Sequence, residues 1–402
     1  MKKIFIIGPP TNSIPVSGGG GIEKFVFELG NYLSKLDYDI NIITIKDNLN
    51  NRKIELIKKN FKIIRISVPK TFFLRGLIYN IKISIKIGSL KQRNIVIFND
   101  VSQSLIPIIL KLFTNKLFSI FIMHNIRPWF EIKVHTKLRR LTDFILGIMS
   151  LRISDDIITF TDFFKGYLSS RFNIDTEKIN VIPPGIPKEI IHNYQKIRNH
   201  EKSSEVFKMV YIGRIIESKG LETLLYAISR IQKIFSTKEI ELKLLIIGPK
   251  TGKYGKQKWI RSSKQIKYLR KLNHLVKNLN LQNQVIFLGE VNSSKIYSLL
   301  LDSDLYICPS YGETFSLSAL ESLSVGIPVI ISNTAGISEY LRHNKNCLKI
   351  AVNDINALVS TIKIAFNEKI RIRLGESGKK LVLNKFIWEE LIMKYKEMFE
   401  NV

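Results

Sequence analysis

Cysteine is nearly absent from this chain: two residues, Cys308 and Cys347, in 402. They have neither metal-ligand spacing nor the pairing pattern of a disulfide scaffold, so a reducing, cytoplasmic compartment is expected. Long apolar runs are missing as well. The most apolar windows, "LIPIILKLF" and "KLFSIFIM", fall short of the roughly 20 residues that a bilayer-spanning helix needs, and lysine interrupts them. The opening "MKKIFIIGPP" begins like a secretion signal, but its apolar run stops after Ile7, and it reads as a first β-strand. Acidic residues are the third shortage, 34 Asp+Glu against 62 Lys+Arg, a formal net charge of +28. A field of that sign draws a protein toward nucleic acid, anionic lipid headgroups or anionic substrates. Abundant lysine, isoleucine and asparagine are equally what AT-rich coding yields, so the charge alone names no partner. No low-complexity tract and no short-period repeat occur, and an apolar share of 45% is that of a soluble globular protein.

What is present is a chain long enough for two cores. Residues 3–8, 40–45, 63–68, 95–99, 117–124, 157–160 and 179–183 form brief, β-branched runs bounded by polar or turn residues, which predicts buried strands. Between them lie helical periods, the clearest over 22–36, where Ile22, Phe25, Val26, Leu29, Leu33 and Leu36 share a stripe. A second series restarts after a polar stretch, at 207–213, 242–248, 284–289, 305–310 and 328–332. Strands alternating with helices predict α/β architecture with parallel sheets. The expectation is two doubly wound, Rossmann-like domains facing a cleft, 1–187 and 207–384, joined by a linker over 188–206. Open parallel sheets bind ligands at the carboxyl ends of their strands.

Two stretches there carry chemistry. In "YIGRIIESKGLETLL" a strand hands over to a helix through Gly213, with Arg214 and Lys219 at the junction, where an anion would sit. In "CPSYGETFSLSALESLSVGIPVI" Glu313 and Glu321 stand eight apart, with Ser316 as the expected N-cap of the helix between them. The free N–H groups of such a first turn suit an anionic or hydroxyl-rich ligand. A capping residue and a solvated one would give the same spacing.

Taken together and in order, these motifs resemble the large GT-B family of retaining glycosyltransferases. "PPTNSIPVSGGGGIEKFVFELGNYL" resembles the family's early glycine turn and places Gly20, Gly21 and Glu23 in register. "FIMHNIRPW" resembles the strand-end histidine of the acceptor domain, here His124. The two stretches above are similar to its arginine–lysine junction and its Glu-x7-Glu signature. "NKFIWEELIMKY" is similar to a last helix, 385–402, that packs back on the first domain. The resemblance implies that Arg214 and Lys219 hold the diphosphate of a nucleotide-sugar donor of UDP or GDP type. Glu321 would then accept from the ribose, and Glu313 and His124 would meet the donor sugar. The amides of Thr314, Phe315 and Ser316 would reach sugar or phosphate oxygens, and Gly289, Glu290 and Val291 would read the base. The catalytic set implied is Glu313, His124, Arg214 and Lys219, with no cofactor. No metal is expected, since the two cations take the role that an Asp-x-Asp-bound ion has in the other main glycosyltransferase fold.

The implied activity is transfer of a hexose to a glycan acceptor, a lipid-linked or cell-surface polysaccharide precursor, with nucleic acid not a partner. This chain departs from the family at Pro184-Gly185, at Pro187, and at Ser316, which replaces a frequent glycine at a close-approach position. Over 71–93, Arg75, Tyr79, Lys82 and Lys86 fall near one line beside Phe73, Leu77, Ile81 and Ile85. Arg75, Lys82 and Lys86 could lie on an anionic membrane surface. An ordinary domain helix with solvated cations fits the same pattern. A sugar-nucleotide epimerase of the same fold and a basic nucleic-acid binder are the rival readings of the whole chain.

Overall fold

Most apolar runs of the sequence become strands with both faces covered, the usual fate of parallel strands flanked by crossover helices, although Ile286 and Leu288 of the run at 284–289 stay exposed. The computed structural model describes residues 2–15, 20–46, 52–69, 72–89, 94–113, 117–124, 138–195, 206–235, 240–249 and 263–400. The chain divides into two units. One holds the N-terminal segment, Gly20–Pro184 and the chain from Glu389 on; the other holds Gly185–Trp388.

In the first unit the strands are β1 (Lys3–Ile7), β2 (Asp39–Ile45), β3 (Ile54–Lys58), β4 (Phe61–Ile66), β5 (Asn94–Phe98), β6 (Leu117–Ile122), β7 (Asp156–Thr159) and β8 (Ile179–Val181). The helices are α1 (Gly21–Leu33), α2 (Phe72–Gly88), α3 (Leu105–Phe113), α4 (Leu138–Ile153) and α5 (Asp162–Phe172). The sheet runs β3-β4-β2-β1-β5-β6-β7-β8. Every pairing is parallel except β3 with β4. The pattern of apolar runs does not announce that antiparallel edge. Its residues alternate between exposed and half-buried, with Ile54 and Leu56 outward, so β3 lacks the continuous apolar run that marks its neighbours.

The second unit follows with α6 (Lys188–Gln195), β9 (Val206–Ile212), α7 (Leu221–Phe235), β10 (Glu241–Ile247), α8 (Ser263–Asn278) and β11 (Val285–Gly289). Next come α9 (Ser293–Leu301), β12 (Leu305–Cys308), α10 (Leu317–Ser324), β13 (Val329–Ser332), β14 (Leu348–Ile350), α11 (Ile355–Ala365) and α12 (Glu368–Lys385). The last helix, α13 (Trp388–Glu400), belongs to the first unit from Glu389 on. The sheet of the second unit is parallel throughout, in the order β11-β10-β9-β12-β13-β14. The segment expected to be a linker begins as helix α6; residues 196–205 lie outside the described set.

Two local expectations change. The helix expected over 22–36 ends at Leu33 and tightens into a 3₁₀ turn over Ser34–Leu36, because Asp37 takes a left-handed conformation at φ 58°. In α2 the polar line splits, its Arg75 and Tyr79 turning inward, and the apolar stripe turns outward. Tyr79, Ile83 and Ile87 are fully buried, and Arg75 is 5% exposed, so Arg75 is not a surface cation. Tyr79 donates to the carbonyls of Gly8 and Ile43 at 2.7 and 3.1 Å, which fastens α2 to the ends of β1 and β2. Burial of each such large apolar side chain contributes about 1.5–3 kcal/mol. Leu77, Ile81 and Ile85 are left 42%, 40% and 69% exposed. Lys82 and Lys86 are exposed beside them.

Candidate active site

In the second sheet β9 and β12 are neighbours, yet the chain between them runs out through β10 and β11. Strand order therefore reverses between β9 and β12, and the loops leaving their carboxyl ends part to make the crevice where such sheets bind ligands. The loop after β9 carries Gly213 to Gly220, and the loop after β12 carries Pro309 to Ser316. Tyr311 N–H donates to the Ser218 carbonyl at 2.9 Å and ties the loops together. Gly220 sits at φ 67°, and a Cβ there would drive into the Pro309 carbonyl oxygen. Only glycine allows both the turn and the approach. The Tyr211 hydroxyl donates to the Arg214 carbonyl at 2.9 Å and fixes the start of the loop.

Lys219 and Glu313 meet in this crevice. Nζ lies 2.7 Å from Oε1, with the side chains 14% and 18% exposed. The same Oε1 accepts from the Ser310 hydroxyl at 2.8 Å and the Cys308 thiol at 3.5 Å. Burial by itself would raise the Glu313 pKa, but the charge and hydrogen bond of Lys219, with Ser310 and Cys308, outweigh it and hold the carboxyl below its usual value. The Cys308 thiol is pushed up to about 11, first by burial and then by the Glu313 charge. It is an uncharged donor here, not a thiolate. The backbone of the motif is pinned as firmly: Gly336 and Ile337 N–H donate to the carbonyls of Glu313 and Phe315 at 3.0 and 2.9 Å.

Ser316 occupies the N-cap position of α10, as expected, but its side chain makes no capping bond. The reason is its backbone, at φ 92°, a conformation that favours glycine. Its hydroxyl lies 3.7 Å from Cys308 Sγ instead. The Phe315 side chain is core, edge-on to Phe386 and Tyr340, so only its backbone is available to a ligand. Glu321 lies in α10 at 7% exposure. Arg214 is exposed, and among the described residues its guanidinium makes no hydrogen bond or ion pair. Of the sequence-predicted residues of this unit, Lys219 and Glu313 are the two brought into direct contact. The turn at Gly289 (φ 82°), Glu290 and Val291 ends β11, and the Gly289 carbonyl accepts from Gly248 N–H at 2.9 Å.

The first sheet has its own reversal, between β1 and β5. Gly20 is the N-cap of α1, and Gly21 its first residue. Glu23 is 5% exposed and accepts from Asn12 Nδ2 at 2.6 Å. Burial raises its pKa, the Asn12 bond opposes this, and the nearby charge of Asp100 adds to the rise. Burial raises Asp100 too, against its bond from Ser102. His124 follows β6, with Nε2 3.0 Å from Asn99 Oδ1 and its ring edge-on to Phe25 and Phe160. Burial pushes its pKa down to about 3, so the ring is neutral near pH 7.

Sequence reasoning missed Ser310, Cys308, Asn99, Gln103 and the acid partner Asp100. Asn99-Asp100 directly follows a buried strand at the reversal point, which is the available signal. Two Asp-x-Asp triplets also occur, Asp37-Tyr38-Asp39 and Asp302-Ser303-Asp304. Both lie at the amino ends of their strands and are engaged elsewhere: Asp39 with Lys3 at 3.8 Å, Asp302 with Lys208 at 3.0 Å, and Asp304 with the Lys208 N–H at 2.9 Å. Among the described residues no group of three or more His, Cys, Asp or Glu could hold a metal ion.

Comparison with known proteins gives this geometry a context. Residues 193–381 match the family model described as glycosyl transferases group 1, and residues 19–189 match glycosyltransferase family 4. An uncharacterised glycosyltransferase of Methanocaldococcus jannaschii is 25% identical over the whole of both chains. The lipopolysaccharide 1,2-N-acetylglucosaminetransferase of Salmonella typhimurium is 22% identical, over 100% of this chain and 99% of that one. Among solved structures, sucrose-phosphate synthase from Thermosynechococcus elongatus superposes with a TM-score of 0.82 at 20% identity, covering 100% of this chain and 99% of that one. Anabaena HepE in complex with UDP-glucose gives 0.74 at 14% identity, with both chains fully covered. These likenesses show the GT-B fold.

Proposed function

The chain belongs to the group 1/family 4 glycosyltransferases, and from that premise we propose that it moves a hexose, with retention, from a UDP- or GDP-type nucleotide sugar to a glycan acceptor. That acceptor is a lipid-linked or cell-surface polysaccharide precursor; the relatives named for lipopolysaccharide and capsular polysaccharide synthesis support this choice. The observation that carries the reading is the half-buried Lys219–Glu313 pair in the crevice between β9 and β12, with Arg214 exposed on the same loop as Lys219.

Negative charge grows on the leaving diphosphate as the glycosidic bond breaks. Fixed cations aimed at it therefore stabilise the transition state more than the ground state. Arg214 offers a planar fork to phosphate oxygens and Lys219 a point charge. Glu313, its Oε1 already taken by three donors, turns its remaining acceptor capacity to donor-sugar hydroxyls. Glu321 accepts from the ribose, and His124 meets the donor sugar. The amides of Thr314, Phe315 and Ser316 reach sugar or phosphate oxygens, Gly20 and Gly21 let the donor approach the first-unit backbone, and Gly289, Glu290 and Val291 read the base through main-chain groups. The departing phosphate takes the acceptor's hydroxyl proton, so neither a cofactor nor a metal ion is needed. Family membership leaves the epimerase and nucleic-acid readings without support.

A cytoplasmic enzyme with a lipid-linked acceptor works at a membrane. No described helix is long and apolar enough to cross one. The contact proposed is peripheral, through Leu77, Ile81 and Ile85 of α2 with Lys82 and Lys86 beside them, an apolar ridge edged by cations. The test of the whole reading is a screen of nucleotide sugars for binding, followed by mass spectrometry of the products. Binding of UDP- or GDP-linked hexoses is expected, and binding of none would overturn it.

A further inference from the structure

Histidine rings can carry their single neutral-state proton on either nitrogen, and the choice decides whether the exposed edge donates or accepts. Around His124 that choice is made by amides whose own orientation is forced. Asn99 and Gln103 are both 0% exposed. Asn99 Nδ2 lies 3.1 Å from the Ile7 carbonyl oxygen, and only the NH₂ end of the carboxamide can satisfy that contact. Gln103 is fixed in the same way: Nε2 donates to the carbonyls of Ile7 and Gly8 at 3.2 and 2.8 Å, and Oε1 accepts from Asn99 N–H at 2.8 Å. Reversing either amide would set donor against donor or acceptor against acceptor. Asn99 Oδ1 is consequently the end that faces His124 Nε2 at 3.0 Å, and an amide oxygen can only accept.

We propose that Asn99 is a positioning residue for His124: its carboxamide oxygen holds the imidazole in the Nε2–H tautomer, which makes Nδ1 the accepting nitrogen of the ring. Any part this ring plays toward the donor sugar rests on the function proposed above; the tautomer does not. Phe25 and Phe160, with ring centroids 4.6 and 5.1 Å from the imidazole, cover part of the ring and favour its uncharged form. The consequence for the reaction is that His124 orients the sugar and supplies no proton to the leaving group.

The test is long-range proton–nitrogen NMR on the ¹⁵N-labelled full chain at pH 7, with His124→Gln identifying which of the six imidazoles is His124. A pyrrole-like Nε2 with a pyridine-like Nδ1 is expected. A proton on Nδ1, or on both nitrogens, would overturn the proposal. In Asn99→Ala the Nδ1–H form should appear, and an unchanged pure Nε2–H ring would show that Asn99 does not set it. Should that variant fail to fold, Asn99→Asp is nearly isosteric. Its carboxylate should raise the imidazole titration midpoint by at least about one pH unit, and an unmoved midpoint counts against Asn99. Loss of the proposed donor binding would show separately, in calorimetry with UDP-glucose and GDP-mannose, and would leave these spectra as they are.

Discussion

Lys219 reaches across from the loop after β9 to Glu313 in the loop after β12, and the 2.7 Å contact between Nζ and Oε1 spans the point where the strand order of the second sheet reverses. Both side chains are largely shielded from water, so each charge depends on the other. Breaking such a pair from one side typically costs about 3–5 kcal/mol, because the remaining charge stays buried. Lys219→Ala is expected to lose about 3 kcal/mol of stability in urea titration. Lys219→Ala with Glu313→Gln should lose less than the two single changes added together. Strict additivity would mean that the contact carries no coupling.

Ser316 holds a backbone conformation that costs a non-glycine residue of the order of 1–3 kcal/mol. Ser316→Gly removes this strain and adds unfolded-state freedom worth roughly 0.5–1 kcal/mol. It is therefore expected to be at least as stable as the parent, whereas Ser316→Val should lose about 2 kcal/mol or more. Thermal unfolding decides between this order and its reverse.

His124 makes the fold sensitive to acid. The unfolded ring binds a proton near pH 6.5, and the folded ring, with its pKa lowered to about 3, does not until far lower. The unfolded state thus holds more protons throughout that window, and stability falls as pH drops through it. Glu313, lowered by Lys219 after opposing its burial, adds a loss that begins as pH falls below its ordinary range. Glu23 and Asp100, raised by burial, act oppositely: their contribution fades as pH rises above the usual carboxylate range. Denaturation midpoints of the parent and His124→Gln, compared between pH 6.5 and 5, should show the shallower dependence in the variant. Equal slopes would contradict the buried neutral ring.

On α2 the two kinds of residue should separate cleanly. Ile81→Glu with Ile85→Glu is expected to abolish co-sedimentation with anionic vesicles and to leave the unfolding free energy within about 1 kcal/mol of the parent, since both positions are exposed and each such change is worth about 0.5 kcal/mol at most. Arg75→Gln should do the reverse, lowering stability and sparing vesicle binding. Persistent sedimentation of the double variant would remove the membrane surface from α2.

Much of this architecture is legible in the run of residues alone, and the exceptions have physical causes. Parallel strands such as Lys3–Ile7 announce themselves because both faces are buried and nearly every residue is apolar. β3, "IELIK", has one face in water, and β14, "LKI", is three residues long, so neither offers a run to find. The helical period of α2 is visible, but two adjacent stripes are both apolar enough to face the sheet. Hydrogen bonding of Tyr79 to Gly8 and Ile43, far away in sequence, settles which one does. Lys219 and Glu313 are legible as ligand-binding types at strand ends. Asn99 is marked only by its place after a buried strand, and Ser310 and Gln103 not at all, because small polar residues reveal a role only through the partners that folding brings to them.

The clamp on the donor's diphosphate is the claim on which the remainder depends, and a crystal structure of the protein grown with UDP or GDP tests it most directly. The account predicts phosphate oxygens within hydrogen-bonding distance of both the Arg214 guanidinium and the Lys219 ammonium. A well-ordered nucleotide seated away from both side chains would contradict it.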